Sequence, residues 1–256
     1  RSPDSPALWV AIARLRLRGG EHLAAAQAAN RALALGPDYP PALLLQALMV
    51  RDVHGARAAR PWFDAALAAA PQDPAIRGEH AATLGDGGEA RAMLASVRAL
   101  AKTAPADPRV PFFQAVLAAR GGDHVLARSL LARSGLAARG TAAALQLDAV
   151  TNLAEGQADT AVATLEMLAA RQPGNARVQT LLARALFDAG RAEEVIKRFG
   201  AAADRRNASR YLVMLVARAN EQIGQRERAA PLLARAYGQW QPGPELLAPA
   251  EGLPAP

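Results

Sequence analysis

Cysteine is absent from the 256 residues, which excludes disulfides, thiolate catalysis and cysteine-based zinc sites. That absence fits a reducing or an oxidising compartment equally. Aromatic residues make up only 4% of the chain. With alanine abundant, this composition suits closely packed helices better than sheets, which draw on β-branched and aromatic side chains. Lysine is nearly missing: Lys102 and Lys197 are the two among 30 basic residues, and the rest are arginine. No stretch approaches the roughly 18 apolar residues that span a bilayer. No signal peptide is present, and the chain opens on Arg1 rather than methionine, so a trimmed or processed product is the expectation. The histidines, His22, His54, His80 and His124, are never three or four residues apart, so the helical zinc spacing is missing. Gly85-Asp86-Gly87-Gly88 is glycine-rich, but no Gly-Lys-Ser/Thr follows, so it is not a phosphate loop. No enzyme activity, metal or cofactor is expected from these residues.

What the chain does have is a period. Ala13, Ala47, Ala81, Ala115, Ala149, Ala183 and Ala217 recur every 34 residues. Gly20, Gly88, Gly122, Gly156, Gly190 and Gly224 keep the same spacing, with His54 where a further glycine would fall. Pro37, Pro71, Pro105 and Pro173 run in phase with them. Self-similarity at this period marks a helical repeat array, in which each unit buries its apolar face by stacking on the next. Hydrophobic residues are 51% of the chain, enough for a large core. The period favours one elongated array over two separate globules.

The segment 142–175 shows the unit physically. Leu145, Ala149 and Leu153 define one face of a first helix. Glu155-Gly156-Gln157 ends it, glycine being suited to a tight C-terminal turn. Ala161, Leu165 and Leu168 form the face of a second helix, which Pro173 closes. The alanine ladder permits close backbone approach where first helices cross; a larger residue there would cost about 1–3 kcal/mol in strain. Ala25, Ala59, Ala127, Ala161 and Ala229 make a second ladder, with Met93 and Val195 at the same phase. Pro61 and Pro231, also in phase, are expected in the first turn of second helices.

These residues resemble the tetratricopeptide repeat family. Trp9, Ala13, Gly20, Ala25 and Pro37 match its unit, as do Leu43, Ala47, Ala59, Phe63, Ala66 and Pro71, and Leu145, Ala149, Gly156, Ala161 and Pro173. Arg139 and Asn207 replace the closing proline in two units. The resemblance implies an all-α fold, an α-solenoid coiled as a right-handed superhelix of about seven helix–turn–helix units. Residues 1–5 would lead in, residues 6–241 would form the array, with units starting near 6, 40, 74, 108, 142, 176 and 210, and the proline-rich 242–256 would be disordered or extended. One departure stands out. The residue before the small alanine is apolar at Ile12, Leu182 and Val216, but polar at Gln46, His80, Gln114 and Asp148. Either these four bond one another across units, or their helices turn them toward water, or they form a stripe that reads a polar ligand.

The resemblance places binding on the first helices, along a concave wall. Arg177 and Arg184 in the sixth unit, and Tyr211 and Arg218 in the seventh, are spaced by seven and share a helix face. Guanidinium groups beside an aromatic would hold a carboxylate-bearing peptide through bidentate bonds. Alternatively Arg184 pairs with Asp188 and Arg218 with Glu221. The lysine and asparagine pattern of the family's carboxylate clamp for chaperone tails is missing. Leu44, Leu48, Phe112 and Phe113 offer an apolar wall instead, although helix packing also explains them.

The net charge of +7 favours acidic partners, or it reflects a GC-rich bacterial genome that enriches arginine and alanine together. The expected role is a non-enzymatic scaffold or adaptor holding a protein or peptide, in bacterial envelope assembly or export and on the periplasmic or membrane-anchored side rather than the cytoplasm. A membrane association would need an anchor ahead of Arg1. Two other readings stay open: an accessory domain of a larger enzyme or secretion machine, or a basic groove for an acidic polymer, polysaccharide or nucleic acid. Repeat arrays need polar caps, so the chain is expected to continue past one end, or a partner to cover the exposed edge.

Overall fold

The computed structural model describes residues 5–238. The chain divides into two compact units, Arg1–Arg139 and Gly140–Pro256. The division falls where Arg139 stands in place of the closing proline. The proline-rich stretch 242–256 lies outside the described residues. All regular structure among the described residues is helical, and the fold is an all-α helical repeat.

In the first unit, α1 (Pro6–Arg18) and α2 (His22–Leu35) pack as a pair, followed by α3 (Pro40–His54) with α4 (Ala56–Ala69), α5 (Pro74–Asp86) with α6 (Ala90–Thr103), and α7 (Arg109–Arg120) with α8 (His124–Ser134). Proline opens α1, α3 and α5, where its missing N–H costs nothing. Ser5 and Asp73 cap α1 and α5, their side chains accepting from Leu8 N and from Ala75 N and Ile76 N. Three apolar clusters fill the unit, each centred on residues shared by neighbouring helices. Ala13, Ala47, Ala81 and Ala115 have no exposed surface, as close helix crossing requires.

Within this unit the second helices restart on the same phase, at residues 22, 56, 90 and 124. The helix before each restart need not stop on phase. Where His54 replaces the ladder glycine, α3 runs on through it, and the positive φ moves to Gly55, at φ 86° and ψ 173°. The other ladder glycines sit at φ between 75° and 82°, which an L side chain adopts only with strain.

Two small residues on α5 make room for large neighbours. Gly85 lies against the Met93 sulfur, 3.0 Å from where a Cβ would stand. The larger Met93 in the second-helix ladder is thus matched by a smaller residue opposite. Gly78 is covered by the Arg109 guanidinium, into which a Cβ would run. Arg109 is held there by Asp107, with Nε at 3.0 Å and Nη2 at 2.6 Å, and donates to Pro74 O at 2.9 Å.

Pro61 is not in a first turn: it is the sixth residue of α4. The helix starts at Ala56, on the common phase, so the proline falls in the second turn and removes one bond, to the Arg57 carbonyl. Pro231 occupies the equivalent place in the last helix. Both are exposed, so water can satisfy the freed carbonyls.

The second unit contains α9 (Ala142–Ala154) with α10 (Ala158–Arg171), α11 (Ala176–Asp188) with α12 (Ala192–Ala203), and α13 (Arg210–Gln222) with α14 (Arg226–Tyr237). Asn175 and Ser209 cap α11 and α13. Leu165, Leu168, Val178, Leu182, Leu186 and Val195 are fully buried.

Candidate partner-binding face

On α11, Val178, Leu182, Ala183, Ala185 and Leu186 point inward, which leaves Arg177 and Arg184 exposed on the opposite face. Burial of Leu212, Val213, Leu215, Val216 and Ala217 on α13 likewise leaves Tyr211 and Arg218 outside. The spacing of seven therefore sets the exposed pairs as expected on each helix.

The side chains meet differently. Tyr211 does not serve Arg218 on its own helix; its phenol stands against Arg184 of α11. Arg184 Nε donates to Asp188 Oδ2 at 3.0 Å. That bond is the main cause holding the guanidinium pKa above its usual range; partial burial opposes it and the Tyr211 phenol adds to it. Arg218 is exposed, and its guanidinium pKa is raised chiefly by the phenol of Tyr237, with Glu221 contributing across 3.4 Å. Tyr237 carries no period-related signal, so sequence reasoning missed it. Both arginines thus have an acid on their own helix and a tyrosine from a later one, α13 for Arg184 and α14 for Arg218. The Arg177 guanidinium has no acid partner among the described residues.

The apolar wall in the first unit is mostly spent on packing. Leu44 is 8% exposed and Phe113 5% exposed, and both belong to the core. Leu48 and Phe112 are half-buried against them, the Phe112 and Phe113 rings 5.5 Å apart.

The polar series forms no bonded ladder. Asp148 accepts from Asn152 Nδ2 at 3.3 Å, one turn along the same helix. Gln46 Oε1 is buried without a hydrogen-bond partner, as are both ring nitrogens of His80. The His80 ring lies 5.8 Å from that of Phe63, with Nε2 3.9 Å from Asp64. Burial pushes its pKa below the ordinary histidine value; Asp64 opposes this, Arg60 and Arg77 add to it, and Glu89 opposes it weakly.

An open depression of about 470 Å³ in the second unit is lined by Gly190, Arg191, Glu193, Glu194, Gln222 and Ile223. Its acid Glu194 is engaged by Arg191 at 2.5 Å and Arg198 at 3.1 Å. Among the described residues no group of three or more histidine, aspartate or glutamate side chains is placed to hold a metal. No described helix is long and apolar enough to cross a membrane.

The tetratricopeptide repeat pattern matches residues 152–219. Solved structures extend the likeness in fold over the rest. A tetratricopeptide repeat protein from Parabacteroides merdae superposes with a TM-score of 0.59 at 14% identity, covering 94% of this chain and 96% of that one. PilW, a widely conserved type IV pilus biogenesis factor, gives 0.55 at 17% identity over 94% of this chain and 96% of its own. The human IFIT1 dimer with m7Gppp-AAAA gives 0.70 at 15% identity, covering 91% of this chain and 58% of that one. No curated protein sequence matches significantly. Residues 152–219 thus carry the tetratricopeptide repeat pattern, and the all-α helical repeat fold is shared over most of the chain.

Proposed function

We propose that this chain is a non-enzymatic scaffold that holds an acidic segment of a partner protein on the α11–α13 face. Tetratricopeptide repeats generally mediate protein–protein contact, and the finer reading rests on one observation. Arg184 and Arg218 stand exposed on successive first helices, each with a tyrosine beside it and neither locked into the core. Arginine forks bind carboxylates in two-point fashion, and tyrosine supplies apolar contact at low entropic cost. Asp188 and Glu221 keep the guanidinium groups oriented until a partner carboxylate replaces or joins them. Arg177 adds a cation at the same edge. A role in envelope assembly or export belongs to the same proposal; PilW, which shares the fold, works in pilus biogenesis.

The test is a selection from a random peptide library on the immobilised protein, followed by fluorescence anisotropy with the enriched peptides. Asp- or Glu-rich peptides, or peptides needing a free C-terminal carboxylate, are expected. The Arg184→Glu/Arg218→Glu variant should bind them at least about tenfold more weakly, since truncating charge pairs costs about 2 kcal/mol or more where they are desolvated. Apolar peptides indifferent to that variant would sink the reading and move attention to Leu48 and Phe112.

A further inference from the structure

Charge is unevenly divided between the two units. The first holds 17 of the 30 basic residues and 11 of the 23 acidic ones, so nearly all the net charge of +7 resides there. It is concentrated further by layer. The second helices of the first unit, α2, α4, α6 and α8, carry eight basic residues and a single acid, Asp64. Their counterparts α10, α12 and α14 carry six basic residues and five acids.

The centre of this layer is α6. Arg91, Leu94, Arg98 and Lys102 fall along one exposed stripe, and the helix contains no acid. None of its three cations has an ion-pair partner among the described residues. The same holds for Arg57 on α4 and Arg133 on α8. Of the acids around it, Glu89 pairs with Arg60 at 2.7 Å and Asp123 accepts from the α8 backbone at Leu126, while Asp64 on α4 stands 3.9 Å from His80 Nε2. Exposed aliphatic side chains sit among the cations, Leu94 at 36%, Val125 at 78% and Leu126 at 47%.

We propose that this face of the first unit, centred on α6, docks on an anionic phospholipid bilayer. Its cations are spread over three successive second helices, α4, α6 and α8, rather than along one row, which suits a sheet of anions better than a linear chain. The face has no aromatic side chain, so it lacks the stacking platform that single-stranded nucleic acid uses. Long arginine and lysine stems reach phosphate headgroups while their methylenes rest beside the aliphatic side chains, which enter the headgroup boundary. Each basic residue near an anionic surface contributes about a fivefold gain in partitioning. The surface lies in the other unit from the peptide face and is independent of it.

Flotation with unilamellar vesicles of mixed phosphatidylglycerol and phosphatidylcholine tests this directly. The folded wild type should float with these vesicles, should ignore pure phosphatidylcholine, and should detach as salt shortens electrostatic reach. Arg91→Gln/Arg98→Gln/Lys102→Gln keeps good helix formers on α6 and should weaken partitioning about a hundredfold. Lys197→Gln/Arg226→Gln/Arg228→Gln removes equal charge from the second unit and should float like the wild type, as should Arg184→Glu/Arg218→Glu. Three results would overturn the proposal: no flotation of the folded wild type with anionic vesicles, equal loss in both triple variants, or capture of polyglutamate or duplex DNA by the α6 face while vesicles are ignored.

Discussion

The two units use one period but fill the same helix position in different proportions, mostly polar in the first and mostly apolar in the second. In the second unit the residue before the ladder alanine is half-buried Asp148 on α9, then Leu182, with no exposed surface, and Val216, 1% exposed. In the first it is the apolar Ile12, then Gln46, His80 and Gln114, all half-buried. Small residues, glycine turns and closing prolines set where helices lie. That one phase decides whether a pair closes with an apolar core or leaves polar atoms wedged between helices. The recognisable family pattern falls on residues 152–219, largely where the apolar choice is made.

The sharpest way to break the comparison is truncation at the shared phase. Leu182→Ala should cost about 2–5 kcal/mol, whereas Gln114→Ala should cost under about 1 kcal/mol, since little apolar surface is lost. Urea unfolding of both variants checks this, and equal losses would erase the distinction between units. Next in size is the coupling of Gly78 to Arg109. Gly78→Ala in the wild type should forfeit the roughly 1 kcal/mol that alanine gains over glycine in a helix, because the new methyl displaces the guanidinium; in an Arg109→Ala background the gain should appear. A double-mutant cycle showing no coupling would refute the packing account. Gln46→Leu should stabilise the first unit by about 1 kcal/mol, since a buried oxygen without a partner gives way to apolar contact; a loss would mean Gln46 is held for another purpose.

The smallest effect is pH-dependent. His80 has a folded pKa below its unfolded value of 6.5, so the folded state resists its protonation. Its contribution is intact above pH 6.5 and is lost as pH falls through the folded pKa. The difference in Tm between wild type and His80→Gln should therefore shift in favour of the variant on acidification. Asp107 is depressed by its bond to Arg109, which puts its own loss lower still, below the ordinary aspartate value of 3.8. An unchanged difference across the range would remove His80 as the cause.

Most of the fold was legible because periodicity reports backbone geometry, and one phase repeated along the chain averages out local noise. Ala13 to Ala217 are buried as the ladder demands, and the spacing of seven exposes Arg177, Arg184, Tyr211 and Arg218 together. Side-chain partners were less legible. Tyr211 joins Arg184 because side chains reach across helices at angles that a spacing within one helix cannot encode. Pro61 was misplaced by one helical turn, as was Pro231, because every second helix starts on one phase, five residues ahead of the proline position. Gly78 gives no signal in the sequence, because the Arg109 guanidinium that covers it comes from another helix.

A last consequence concerns length. In the second unit, α10 and α12 begin 34 residues apart, at Ala158 and Ala192, each just past a glycine turn of nearly equal φ. Excising residues 158–191 would join Gln157 to Ala192 at a point where the chain already knows how to restart a helix. The array can thus shrink in whole steps without a new junction being invented. Such a step would remove Arg184 and spare Arg218, so valency for a multidentate partner and molecular length are inherited together.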